Sequence, residues 1–308
     1  MRRLLQLGFG AAVVVGTIAV VGTGPLVRGV LAISPGTILA AALLTAVATS
    51  AAAWRWRAVS AELGLPMGWT AAMAAYYRSQ FLNTVLPGGV IGDVHRAYRH
   101  GRRARDMPIA ARAVATERAA GQVVQFGLTL VILVALGLAG PLAGWLTALV
   151  WVAVVVLVTL VVAVATLRGR RMLRRELSLL RKVFGSPRAS IAIVASSVVV
   201  VAAHSATFVV ACLAVGIHAS PRELVALAMI ALAAGSLPIN IGGWGPREAA
   251  SASAFAVIGL GAGAGLAAST TFGVLTVIAV LPGALVLVAD RIPARRPIVH
   301  ARPEESTA

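Results

Sequence analysis

Long apolar runs broken by short basic patches set the pattern of this chain. Leu142–Leu167 and Ile191–Ile217 are the clearest, each longer than the ~18 residues that mark a membrane span. Full spans are expected at about 5–23, 36–54, 113–138, 142–167, 190–216 and 265–289. The runs are continuous instead of alternating over ~10-residue segments, which excludes a β-barrel. Two further segments, about 68–100 and 222–262, are too interrupted to be ordinary spans. Each carries a proline and a glycine cluster: Pro87, Gly88, Gly89 and Gly92 in the first, Pro238, Gly242, Gly243 and Gly245 in the second. The expected fold is therefore all-α and polytopic, with about six full transmembrane helices and two broken or re-entrant helical hairpins.

The two breaks resemble each other. Leu86-Pro87 is followed by Val90, Gly92 and Arg96 at plus three, five and nine from the proline, and Leu237-Pro238 by Ile241, Gly243 and Arg247 at the same offsets. Each copy has a span before it and a span after it. This is the pattern of an inverted repeat, with halves at about 36–138 and 190–289 of one integral-membrane domain, 1–290. Non-helical backbone at membrane depth survives only where protein or a watery cavity satisfies its polar groups.

Charge fixes an orientation. Of 27 basic residues, 26 are Arg, and they cluster between the apolar runs. If the N-terminus is cytosolic and each break enters and leaves on one side, 21 of the 27 fall inside, Arg28 and Arg222 fall outside, and Arg78, Arg112, Arg118 and Arg247 lie in or near membrane depth. Arg55 and Arg57, and the loop Arg168–Arg188, count as cytosolic anchors here. The net charge of +17 thus follows the positive-inside rule and does not call for nucleic acid. Anionic inner-leaflet lipids are the expected partners of the basic loops. The N-terminus reads as an uncleaved first span, and residues 291–308 as a disordered cytosolic tail, so both termini are expected in the cytosol.

Only 12% of residues are charged, and ionisable groups within spans cost roughly 2.5–3.5 kcal/mol each, so those present are candidates for function. Arg78 and Asn83 precede the first break. Asp93 and Arg96 follow it three residues apart, on one helical face, with a helix cap as the alternative for Asp93. Glu117, Arg118 and Gln122 open the third full span; the adjacent Glu and Arg are expected on different faces, with Glu117 reaching an Arg of the break and Arg118 left for a ligand. Asn240, Arg247 and Glu248 repeat the theme at the second break, where Pro246 suits a helix start whose N–H groups face an anion. His204 sits mid-span, as a helix–helix hydrogen bond or a proton carrier. Cys212 reads as a packing residue. No metal, nucleotide or hydrolase motif is present, and ten acidic residues supply a catalytic constellation poorly, so neither an enzyme nor a cofactor is expected.

The stretches "FLNTVLPGGVIGDVHRAY", "TERAAG" and "SLPINIGGWGPREAA" resemble three motifs of the lysylphosphatidylglycerol synthase transmembrane family, also called the flippase-like domain family. The resemblance covers about residues 10 to 290. It implies a membrane domain that moves, or helps move, a lipid between leaflets. The multiple peptide resistance factor of that family adds a soluble aminoacyl-transferase; this chain resembles a stand-alone member, so the synthase activity is not carried over. The Arg-rich, Lys-poor composition fits a GC-rich bacterial genome, and the expected location is the bacterial inner membrane. The expected substrate is an anionic or aminoacylated phospholipid or a polyprenyl-phosphate-linked lipid. A small-solute or ion-coupled transporter and a membrane-bound transferase are the alternatives. A homo-oligomer and a separate lipid-modifying enzyme both stay open as partners.

Overall fold

A computed structural model describes residues 23–86, 89–136, 144, 167–237 and 244–290. The described residues are helical throughout: α1 (Gly24–Leu31), α2 (Pro35–Glu62), α3 (Trp69–Val85), α4 (Ile91–Ala104), α5 (Met107–Ala135), α6 (Leu167–Phe184), α7 (Pro187–Ala214), α8 (Pro221–Gly235), α9 (Pro246–Val257), α10 (Ala262–Ala279) and α11 (Pro282–Ala289). Four stretches are long and apolar enough to span a membrane: α2, α5, α7 and the α10–α11 pair. The expected spans at 5–23 and 142–167 lie almost wholly outside the described residues.

Sequence sets the helix starts. Ser34 before Pro35, Ser186 before Pro187 and Ser220 before Pro221 each cap a first turn with the hydroxyl, while proline fills a position whose N–H needs no partner. The order long helix, short helix, break, short helix, long helix then occurs twice, as α2–α3–α4–α5 and as α7–α8–α9–α10. Both first helices, α2 and α7, have 28 residues, and they pack together more extensively than any other described pair.

Small side chains permit that packing. Ala48, Ala52, Ala53, Ala192, Ser196 and Ser197 are buried, whereas Leu39, Leu43, Val47, Ile191 and Val194 point outward. Large apolar groups outside and small or polar groups inside reverse the arrangement of a soluble core. That reversal is expected where lipid is the solvent and helices gain by close approach. Cys212 lies fully buried in the α7–α10 cluster, in agreement with a packing role.

The expected last span, 265–289, falls on the α10–α11 pair, Ala262–Ala289, whose ladder is interrupted between Ala279 and Pro282, a residue without an N–H. One expectation needs correction. The basic stretch read as the loop Arg168–Arg188 contains a helix, α6, whose Val183 is buried with Val59, Ala113 and Ile193. Arg112, expected in or near membrane depth, pairs with Glu176 of α6 at 2.8 Å.

Candidate functional site

The first break brings α3 and α4 together as a tight hairpin. Gly92 makes this possible, since a Cβ there would collide with the Ser79 backbone. Asn83 ties the ends: its Oδ1 accepts from the Gly92 N–H at 2.7 Å and its Nδ2 donates to Asp93 at 3.0 Å. Asn83 therefore does the capping that Asp93 was an alternative for. Asp93 instead accepts from Ser79, Asn83 and Arg96 at 3.0 Å each and pairs with Arg118 at 2.7 Å.

Glu117 of α5 is the hub, with no exposed surface. Its Oε1 accepts from Arg55 Nε at 2.8 Å, Arg55 Nη2 at 2.5 Å and the Tyr76 hydroxyl at 2.9 Å. Its Oε2 accepts from Arg96 Nη2 at 2.9 Å. Arg55 Nη1 continues to Ser197 of α7 at 2.8 Å, so one network joins α2, α3, α4, α5 and α7. Gly121 leaves room for the Arg55 guanidinium. The two faces of Arg96 are covered by the Trp56 and Tyr76 rings, at 4.6 and 4.3 Å.

The second break repeats this with fewer parts. Gly245 takes φ 106°, a left-handed conformation open to glycine, immediately before Pro246 starts α9. Glu248 Oε2 accepts from the Gly245 N–H at 2.6 Å, and its Oε1 accepts from Arg247 Nη2 at 2.6 Å and from Ser269 at 3.0 Å. Arg247 lies between the Trp244 and Phe272 rings, at 5.2 and 5.1 Å. In both halves the Arg nine positions past the break proline is buried, carboxylate-paired and held between aromatic rings.

Between the two breaks lies a cavity of about 310 Å³. Arg55, Arg118, Gln122, His204 and Arg247 line it, with Val200, Leu232 and Phe272 as its apolar wall. Gln122 donates to the Ser236 carbonyl at 3.1 Å, tying α5 to the second break. Arg118 is the most accessible of the three cations, with 41% of its side chain exposed.

A family model described as the lysylphosphatidylglycerol synthase TM region matches residues 3–283, a stretch that runs through both breaks and the whole cavity. The chain belongs to this family. Membership makes it a multi-pass membrane protein of a lipid-handling family. No curated protein and no solved structure matches it.

In this lysylphosphatidylglycerol synthase TM chain, Arg118, Gln122, His204 and Arg247 meet in one cavity, while other sequence candidates take different places. Arg96, expected to meet a headgroup, lines none of the central cavity; its guanidinium is buried against Asp93 and Glu117. Arg78 pairs with Asp290 at the end of α11. Glu117 reaches the break arginine as expected, but Arg118 is not left unpaired, since Asp93 swings across to it. Arg247 and Glu248, expected on different faces, pair with each other because a side chain as long as Arg folds back onto its neighbour. At the start of α9, where N–H groups were expected to face an anion, the N–H of the Gly245 cap meets Glu248. Pro87, Gly88, Pro238, Asn240, Gly242 and Gly243 lie outside the described residues.

Arg55, Tyr76, Ser197, Ser269 and Asp290 were missed. Arg55 was legible as basic but was counted as a cytosolic anchor; an Arg two residues short of another in "WRWR" carries no sign of which one turns inward. Nothing in the sequence marks a serine or tyrosine in an apolar helix as the partner of a distant charge.

Proposed function

We propose that this chain moves a phosphate-bearing lipid between membrane leaflets, the substrate being an anionic or aminoacylated phospholipid or a polyprenyl-phosphate-linked lipid. The observation that carries the proposal is the central cavity. It places three arginines from α2, α5 and α9 between the two breaks, beside an apolar wall. Arginine binds a phosphate diester with paired N–H donors, and cations at membrane depth are rarely kept without a role. Each is paired with a carboxylate, but Glu117 and Asp93 are also shared with Arg96, so an arriving phosphate exchanges one anionic partner for another in a cluster that keeps a net positive charge.

On this reading the two break-containing halves are inverted repeats, both termini face the cytosol of a bacterial inner membrane, and no covalent chemistry takes place. Arg118 is the first contact, being exposed and held by a single ion pair. The test is reconstitution into liposomes whose outer leaflet carries fluorescent phosphatidylglycerol, lysyl-phosphatidylglycerol or polyprenyl phosphate. Transbilayer movement above empty vesicles, lowered in Arg118→Gln, is expected. No movement of any of the three lipids would sink the proposal.

A further inference from the structure

A second, more basic cavity of about 230 Å³ opens beside α3 and α4, lined by none of Arg55, Glu117 and Ser197. Arg78, Arg96, Arg99 and Arg103 line it with His100 and Trp56, and no acidic residue does. Two of the arginines are almost fully buried, Arg78 at 4% and Arg96 at 1% exposure. Arg96 spends Nη2 on Asp93 and Glu117, but its Nε and Nη1 have no hydrogen-bond partner among the described residues; nor does Arg78 Nε. Buried donors left unsatisfied cost roughly 1–3 kcal/mol each, more when charged, so a cluster of them calls for an acceptor.

Arg96 is already paired with Asp93 and Glu117, and one further carboxylate reaches the cluster. Asp290, at the end of α11, accepts from both Arg78 and Arg99, the latter at 2.5 Å. Arg103 has no ion-pair partner among the described residues. A single −1 group is thus shared by Arg78 and Arg99, and among the described residues none serves Arg103.

We propose that this cavity is an anion site for a phosphate group, and that the Asp290 carboxylate sits at it as a built-in competitor. Guanidinium forks match the oxygens of a phosphate, and a doubly charged group balances Arg78, Arg99 and Arg103 better than the one shared carboxylate does. A phosphate entering the cavity displaces Asp290 from Arg78 or Arg99, which loosens the end of α11 from α3 and α4. The same phosphate chemistry is offered by an inner-leaflet phospholipid and by a soluble phosphate. The inference does not rest on lipid translocation, because its readout is binding.

Binding is measured on the full chain in neutral detergent by titration calorimetry with sodium pyrophosphate, and in nanodiscs by retention of phosphatidylglycerol against phosphatidylcholine. Saturable pyrophosphate binding marks a soluble phosphate as able to enter; retention of phosphatidylglycerol alone marks the site as one for a lipid headgroup. The Arg99→Gln/Arg103→Gln protein, altered outside the Glu117 network, is expected to bind about tenfold more weakly for the loss of charged hydrogen bonds. Asp290→Asn is expected to bind more tightly, an outcome that misfolding cannot imitate. Arg222→Gln, on the exposed first turn of α8 and away from both cavities, is expected to bind as the parent does. The proposal is overturned if neither probe binds, if Arg99→Gln/Arg103→Gln binds like the parent, if Asp290→Asn gains nothing, or if Arg222→Gln loses as much binding as Arg99→Gln/Arg103→Gln.

Discussion

Glu117→Gln is the change that tests the network most directly. The wild-type carboxylate accepts four hydrogen bonds from two guanidiniums and a phenol, at 2.5 to 2.9 Å. Glutamine keeps the shape but replaces one acceptor oxygen with an NH₂, which then faces an arginine donor. Arg96 retains Asp93 at 3.0 Å, whereas Arg55 retains only the Ser197 hydroxyl and no carboxylate. Breaking a buried ion pair by removing one partner costs about 3–5 kcal/mol, a large part of the ~5–15 kcal/mol that holds a typical domain together. At roughly 2–4 °C per kcal/mol for a chain of this size, the melting point should fall by on the order of 10 °C. Tyr76→Phe is the comparison: it removes one bond to the same oxygen, at about 1.5–3 kcal/mol, and leaves every ion pair intact. Thermal unfolding in neutral detergent, followed by the loss of monodisperse protein in size exclusion, reads both. A Glu117→Gln protein that melts within ~2 °C of the parent, or no lower than Tyr76→Phe, would refute the assignment of Glu117 as the hub.

Replacing the whole triad by Arg55→Met, Arg96→Met and Glu117→Met should melt higher than Glu117→Gln alone, because it leaves no unpaired charge while Asp93 keeps Arg118; its liposome translocation should be abolished. Gly92→Ala should destabilise by about 1–3 kcal/mol through the Ser79 backbone it meets, whereas Gly127→Ala, which meets nothing, should stabilise α5 by about 0.5–1 kcal/mol; melting points of the two variants check this. Arg247→Lys keeps the charge but loses the fork onto Glu248 and Ser269 and the flat stack on Trp244, so translocation is expected to fall by about tenfold or more while the melting point drops by only a few degrees.

Period and charge made the architecture legible, since a membrane span is defined by run length and a break by Pro beside Gly. The offsets shared by the two breaks also pointed to Arg96 and Arg247 as counterparts, and the structure gives both the same surroundings of aromatic rings and a carboxylate. What the sequence hid was which partner each charge takes. A hydropathy plot places Arg55 and Arg57 on one footing, yet one faces Glu117 and the other donates to the Met67 carbonyl, because residues two apart in a helix of 3.6 residues per turn lie on nearly opposite faces. Neighbouring residues misled in the other direction: Glu117 and Arg118 part as helical geometry predicts, but Arg247 and Glu248 meet, since the first turn of α9 leaves Arg247 room to curl back against Gly235 and Gly273.

These pairings bear on how a headgroup can be held. If the central arginines were bare, a phosphate would bind tightly and leave slowly, and the empty site would carry several uncompensated charges at depth. With Asp93 shared between Arg118 and Arg96, and Glu248 on Arg247, the charges of the empty cavity are largely offset. On the proposed function a phosphate binds by exchange, and its departure returns each carboxylate to a waiting partner. That suits a protein that must release what it takes up. It also makes Asp93 and Glu248, as much as the arginines beside them, determinants of how weakly the lipid is held.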